Sequence, residues 1–180
     1  MSNQAAYNRG ASVPGITILG LGNPILKDDG IGPRVVQELQ KEGLPHGVNA
    51  VTAGGSFNQC WDILAGSKYV IAVDSLLGGG PPGTVYLLRP EEIDREIDAG
   101  VFRHEDDFLG VLDLMACCGI RPEVIIVGVE PKEITYSLDL SPEILERIPD
   151  VTGIVREQCA ILMRDGNFSA VNNTFPGVEE

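Results

Sequence analysis

The sequence predicts an α/β protein: a three-layer α/β/α sandwich around a mostly parallel five-stranded sheet with one antiparallel strand. Two observations carry this prediction. Short apolar runs alternate along the chain with segments whose apolar residues recur at helical spacing, which is typical of parallel βαβ units. One connection between runs is too short and too rich in glycine and proline for a crossover helix, which indicates one reversed strand.

The first half of the chain predicts three strands and two helices. Ile31, Val35 and Leu39 lie on one face of a helix that Gly43 ends. Ser56 is expected to cap a short second helix. The predicted strands are the apolar runs 16–19, 48–51 and 69–74.

The second half predicts two more strands, at 84–88 and 124–127. Because the connection 75–82 cannot hold a crossover, strand 84–88 should run antiparallel to its predecessor. A charged stretch at 91–98 and the apolar positions from Phe108 onward are expected to be helical. The sequence Ser141-Pro142-Glu143 predicts a capped helix start, with an apolar stripe that continues to Leu162 through a kink at Pro149.

Length and charge limit the functions that the chain can have. Its 180 residues suit one domain, at about 100–200 residues per domain. We expect this domain to span 15–165, between a flexible arm (1–14) and a flexible tail (166–180). The formal net charge of −13 disfavours nucleic acid, and no apolar run reaches the roughly 18 residues of a membrane span. The polar beginning of the chain does not resemble a signal peptide, so we expect a cytoplasmic protein. We also expect the protein to be a monomer.

The glycine-rich turn after the first strand invites a comparison with dinucleotide-binding loops. Gly20 and Gly22 match the first two glycines of that fingerprint, but Ile25 occupies the place of the third. Asp28 and Asp29 would also repel a pyrophosphate. A tight turn is the favoured interpretation, and nucleotide binding is kept as the weaker alternative.

Two aspartates follow predicted parallel strands at the same edge of the sheet. Asp29 comes shortly after the first strand, and Asp74 ends the otherwise apolar third strand. Ligands of open α/β sheets bind beyond the carboxyl ends of the strands, and an aspartate at the end of an apolar strand is costly unless it is paired or liganded. The alternative is structural, with Asp29 at a helix start and Asp74 capping a turn.

The chain has two histidines, of which His104 is the candidate ligand and His46 lies in a predicted polar loop. Together with Asp29 and Asp74, His104 would give one imidazole and two carboxylates, a donor set that suits a borderline divalent metal. A lone surface histidine is more often inert, so this combination is a hypothesis.

Motifs along most of the chain resemble those of the [NiFe]-hydrogenase maturation endopeptidases. The resemblance covers about 16–162. Its opening motif is Ile18-Leu19-Gly20-Leu21-Gly22-Asn23-Pro24 followed by Asp28-Asp29-Gly30-Ile31-Gly32. Further matching elements are Gly54-Gly55, Val73-Asp74, Pro82-Gly83-Thr84, His104, 109–114, Val127-Gly128-Val129-Glu130-Pro131 and Leu140-Ser141-Pro142.

This resemblance implies a phosphorylase/hydrolase-like sandwich and a specific activity. Members of the family remove a C-terminal extension from the hydrogenase large-subunit precursor once nickel has been inserted. The nickel is therefore transient and comes with the substrate, and no organic cofactor is implied. The family's metal-contacting and catalytic positions fall on Asp29, Asp74 and His104. Many members have an aspartate before the Gly-Gly pair, where this chain has Ala53, so that position is not expected to be catalytic here.

Two other functions remain open at the level of sequence. A nickel-checking chaperone would bind the precursor without cutting it, and a nucleotide-binding α/β protein would need no metal. Peptide hydrolysis itself would need a water activated either by nickel or by a carboxylate, and a proton for the leaving amine.

Overall fold

The computed structural model describes residues 15–53, 57–93 and 108–166, and within them a five-stranded sheet in the order β2-β1-β3-β5-β4. The pairs β2–β1, β1–β3 and β3–β5 are parallel, and β4 is antiparallel to β5. The strands are β1 (Ile16–Gly20), β2 (Val48–Thr52), β3 (Tyr69–Ser75), β4 (Val85–Leu88) and β5 (Glu123–Val129). The predicted mixed sheet is thereby confirmed.

The helices cover both faces of this sheet. They are α1 (Ile31–Glu42), α2 (Phe57–Ala65), α3 (Phe108–Cys117), α4 (Pro142–Leu145) and α5 (Ile148–Asp165), with 3₁₀ turns at Lys27–Gly30 and Pro90–Glu92. Side chains alternate across β3, so that Ile71 and Val73 join the core with α1, α4 and α5, whereas Val70 and Ala72 join the core with α2 and α3. The three-layer sandwich follows from this alternation.

β4 lies at the edge of the sheet, where the short connection after β3 places it. It pairs with β5 from Val85 opposite Val129 to Leu88 opposite Ile126, and β5 separates it from β3. The predicted reversal is confirmed. The chain between β3 and β4 therefore folds over the carboxyl end of β5 instead of crossing the sheet.

The C-terminal helix differs from its prediction. The single kinked helix is wrong, because α4 ends at Leu145 and α5 begins at Ile148. Pro149 lies in the first turn of α5, where the absence of an N–H group on proline costs no helical hydrogen bond. Ser141 is at the N-cap position of α4, but its hydroxyl makes no capping hydrogen bond and donates to Asp28 instead.

Several predictions concern residues outside the described part of the chain. These are the arm (1–14), nearly all of the tail, the Ser56 cap, the greater part of the charged stretch 91–98, and His104. At the start of that charged stretch the structure has the 3₁₀ turn Pro90–Glu92. Across the described residues, no helix has the length and apolar character needed to span a membrane.

Candidate active site

The candidate site lies at the carboxyl edge of the sheet, where the turn after β1 meets the end of β3. The backbone N–H of Leu21 donates to the carbonyl of Val73 at 2.8 Å, which holds the turn against β3. Gly22 then reverses the chain with φ +97°, a conformation that side chains disfavour. As a result the 3₁₀ turn Lys27–Gly30 places Asp29 beside the end of β3.

Asp29 and Asp74 are both buried, and Ser75 connects them. The Ser75 hydroxyl donates to Asp29 Oδ1 at 2.8 Å, and the Ser75 backbone N–H donates to Asp74 Oδ1 at 2.8 Å. The other oxygen of Asp29, Oδ2, accepts the backbone N–H of Asn23 at 2.7 Å. The exposed fractions are 5% for Asp29, 4% for Asp74 and 6% for Ser75. The structure therefore brings together the two aspartates that the sequence placed at one edge.

The electrostatics of the pair make it unfavourable in the absence of a bound cation or proton. Burial raises the pKa of the Asp74 carboxyl well above its ordinary value, and the neighbouring Asp29 charge raises it further. The hydrogen bond from the Ser75 amide acts in the opposite direction. Two buried carboxylates in this position would be stabilised by a proton or by a divalent cation.

The third predicted ligand, His104, lies outside the described residues. Within residues 15–53, 57–93 and 108–166, no three His, Cys, Asp or Glu side chains are grouped closely enough to hold a metal ion. The donor set that the described residues supply is thus the carboxylate pair. Two carboxylates are part of a donor set that suits a borderline divalent metal, and the imidazole of His104 would be needed to complete that set.

Asp28, the neighbour of Asp29, has a structural role that the sequence did not reveal. Its side chain is 1% exposed and accepts the backbone N–H groups of Lys132 and Glu133 at 3.0 Å each. It also accepts the N–H of Ser141 at 2.7 Å and the hydroxyl of Ser141 at 2.8 Å. Asp28 therefore ties the turn after β1 to the chain that follows β5, and only Asp29 faces the candidate site.

The sequence analysis also missed Ser75 and the amide of Asn23. Ser75 is the residue after Asp74, and its small polar side chain at the end of an apolar strand was a signal that could have been noticed. The Asn23 contribution comes from its backbone, so its residue type carries no such signal.

Gly22→Ala is expected to disrupt this site more than an ordinary glycine substitution. A Cβ at Gly22 would lie 1.9 Å from the Asp29 carbonyl oxygen, in addition to the strain of φ +97°. Gly43 is the matched control, because it has φ +88° and no atom within 4 Å of its added Cβ. We expect Gly43→Ala to cost about 1–2 kcal/mol and Gly22→Ala about 3 kcal/mol or more, measured by denaturant unfolding. Equal losses for the two variants would show that the turn is not tightly packed against Asp29.

Comparisons with known proteins identify the family of the chain. The sequence profile of the hydrogenase maturation protease family matches residues 33–158. The hydrogenase expression/formation protein HupD of Thiocapsa roseopersicina is 30% identical over 153 residues, which cover 83% of this chain and 69% of HupD. The hydrogenase 2 maturation protease of Escherichia coli K12 is 27% identical over 159 residues, which cover 87% of this chain and 94% of that protease.

A solved structure confirms the fold. The hydrogenase maturating endopeptidase HybD from E. coli superposes with a TM-score of 0.69 at 26% sequence identity, over 83% of this chain and 93% of HybD. The profile match extends over more than half of the chain, from α1 to α5. The chain therefore belongs to the hydrogenase maturation protease family, whose members are hydrolases that act on peptide bonds.

Proposed function

We propose that this chain is an endopeptidase that removes the C-terminal extension of the nickel-loaded [NiFe]-hydrogenase large-subunit precursor. Nickel enters the site as part of the substrate, and no organic cofactor takes part. The chain acts as a cytoplasmic monomer without nucleic acid or a membrane as partner.

The buried carboxylate pair is the observation that carries this proposal. Burying Asp29 and Asp74 side by side costs stability, because each charge is desolvated and the two charges repel each other. Hydrogen bonds to both oxygens, which Asp28 and Asp29 each accept, offset the desolvation of a single carboxylate but leave the repulsion between Asp29 and Asp74 in place. The cost is understandable if the pair binds a cation that the substrate brings.

The chain's own residues divide the work in this proposal. Asn23 and Ser75 hold the Asp29 carboxylate in one orientation through a backbone N–H and a hydroxyl. The Ser75 amide does the same for Asp74. Both carboxylates and His104 then contact the nickel-bearing part of the precursor. One carboxylate takes a proton from the hydrolytic water, the hydroxide attacks the scissile carbonyl, and the same carboxyl group returns the proton to the leaving amine as the peptide bond breaks.

Nickel dependence of cleavage is the first test. The purified chain is incubated with nickel-loaded and nickel-free precursor, and the mass of the large subunit is followed over time. We expect the loaded precursor to lose its extension and the nickel-free precursor to stay intact, because the carboxylate pair binds the precursor through its nickel ion. Equal cleavage of both forms would contradict recognition through nickel.

The alternatives give different results in the same experiment. A nickel-checking chaperone would form a stable complex with the loaded precursor and leave it uncut. A nucleotide-binding protein would leave both precursors untouched and would bind adenine nucleotides saturably. Either result would overturn the proposed function.

A further inference from the structure

Glu130 is a buried acid that the proposed chemistry does not use. It follows β5 directly and is 5% exposed. Its Oε2 atom accepts the backbone N–H of Gly78 at 2.7 Å and the hydroxyl of Tyr86 at 2.8 Å. The Glu130 backbone contacts the last residues before β4: its N–H donates to the Thr84 carbonyl, and its carbonyl accepts the backbone N–H of Gly83. Glu130 thus binds the chain between β3 and β4 at both ends.

Tyr86 completes this arrangement from β4. Its hydroxyl donates to Glu130 and accepts the backbone N–H of Gly80 at 3.0 Å. The backbone at Gly78 lies so close to the ring that an added Cβ would be 2.6 Å from Tyr86 Cζ. The ordinary pKa of a tyrosine already keeps the phenol protonated at neutral pH, and burial and the hydrogen bond to Glu130 raise the pKa of Tyr86 further. We call Glu130, Tyr86, Gly78 and Gly80 the loop clamp.

The loop clamp lies next to the candidate active site along the chain. Gly78 is three residues after Ser75, which bridges Asp29 and Asp74. Between them, Leu76 is buried and its N–H donates to the Val129 carbonyl at 2.9 Å, immediately before Glu130. The direction in which the chain leaves β3 is therefore fixed by contacts with the residues at 129 and 130.

We propose that Glu130 is a positioning residue for the active site, which holds the backbone at Asp74 and Ser75 in place through the clamped loop. The kinetic consequences of this positioning role rest on the proposed function, whereas the effect of Glu130 on the loop does not. Glu130 acts through hydrogen bonds and touches neither the precursor nor the reacting atoms. Its role depends on an acceptor oxygen at the Oε2 position and is independent of a negative charge.

Three variants separate the acceptor from the charge and from general destabilisation. Glu130→Gln keeps an acceptor oxygen that can receive both Gly78 and Tyr86. Glu130→Ala removes the acceptor, and Tyr86→Phe removes only the phenol, so that one arm of the loop clamp is lost. Glu123→Ala is the matched control, because Glu123 is an exposed acid at the opposite end of the same strand.

Amide hydrogen exchange and amide chemical shifts, read by NMR on the full chain, test the positioning directly. In Glu130→Ala we expect faster exchange at Gly78 and Gly80 and a shifted Ser75 amide, with core amides of β1 unchanged. Glu130→Gln and Glu123→Ala should resemble wild type, and Tyr86→Phe should affect Gly80 most. Should Glu130→Ala fail to fold, Tyr86→Phe gives the decisive spectrum. Wild-type exchange at Gly80 and a wild-type Ser75 amide in Tyr86→Phe would overturn the proposal, as would uniform changes throughout the core.

Processing kinetics with the nickel-loaded precursor test the consequence for catalysis. Displacing a reacting group by about 1 Å can cost on the order of 100-fold in rate, so we expect kcat to fall about tenfold or more in Glu130→Ala with KM nearly unchanged. Glu130→Gln should restore kcat. An unchanged kcat together with a disturbed Ser75 amide would overturn the positioning role. If the wild-type chain itself did not process the precursor, the proposed function would fail, while the NMR comparison would still decide whether Glu130 orders the site.

Discussion

Replacing Asp74 by asparagine should abolish processing of the precursor and leave a folded protein that is more stable than wild type at neutral pH. The substitution keeps the oxygen that accepts the Ser75 amide, so the local hydrogen bond survives. It removes a buried charge that lies beside Asp29. Loss of activity together with a gain in stability distinguishes a functional carboxylate from a structural one.

The stability gain should depend on pH in a defined direction. The pKa of Asp74 is raised in the folded protein, so the contribution of this carboxyl to wild-type stability is most favourable below its unfolded pKa and is lost as pH rises through the folded value. The asparagine of the variant does not titrate, and the advantage of the variant should appear as pH increases from about 4 toward neutrality. We expect paired unfolding curves to show the variant more stable than wild type at neutral pH, with the difference shrinking toward about pH 4. A gain that grew toward acid pH would contradict the raised pKa.

Variants of the two other predicted site residues should behave like Asp74→Asn, and the second histidine of the chain provides a control. Asp29→Asn and His104→Ala should also lose processing while remaining folded. His46 is exposed in the connection before β2, so His46→Ala should stay active. Normal processing by Asp74→Asn would require the site to be reassigned.

Asp28→Asn should have the opposite profile, with a large loss of stability. The Asp28 carboxylate accepts four hydrogen bonds, three at Oδ2 and one at Oδ1. An asparagine offers one oxygen, so its NH₂ group must face at least one of these donors, and a buried N–H then loses its partner. We expect a cost of about 3 kcal/mol, which corresponds to a decrease in Tm of roughly 6–12 °C for a chain of this size.

Asp150→Asn is the matched control for this substitution. Asp150 is an exposed aspartate in α5, and its contact is a surface ion pair with Arg147 at 3.0 Å. Exposed pairs of this kind contribute about 0–1 kcal/mol, so the Tm should change little. Similar melting temperatures for Asp28→Asn and Asp150→Asn would show that Asp28 does not hold the turn to the chain after β5.

Local sequence patterns were sufficient to predict the sheet and to bring two aspartates of the candidate site to one edge of it. Apolar runs and turn residues located the strands, and the short connection after β3 correctly predicted that β4 is reversed. Asp29 and Asp74 were found because parallel strands bring their carboxyl ends to one edge. Both inferences depend on spacing within a few tens of residues.

The contacts that organise the site depend on partners far away in sequence. The hydrogen bonds of Asp28 join residues more than 100 positions apart, so its role differs from that of Asp29 although the two are adjacent. Ser141 is the distant partner of Asp28 and was misinterpreted for the same reason. Its local sequence predicts a helix cap, but its hydroxyl donates to Asp28. The link between Glu130 and Tyr86 spans 44 residues and follows only from the pairing of β4 with β5.

The mass of the large subunit after incubation with this chain tests the central claim most directly. Nickel-loaded precursor is mixed with wild-type protein or with Asp74→Asn, and the intact mass of the subunit is measured over time. We predict that wild-type protein removes a C-terminal peptide and that Asp74→Asn leaves the precursor at full length. A precursor that stays at full length with wild-type protein, whether bound to it or not, would contradict the account.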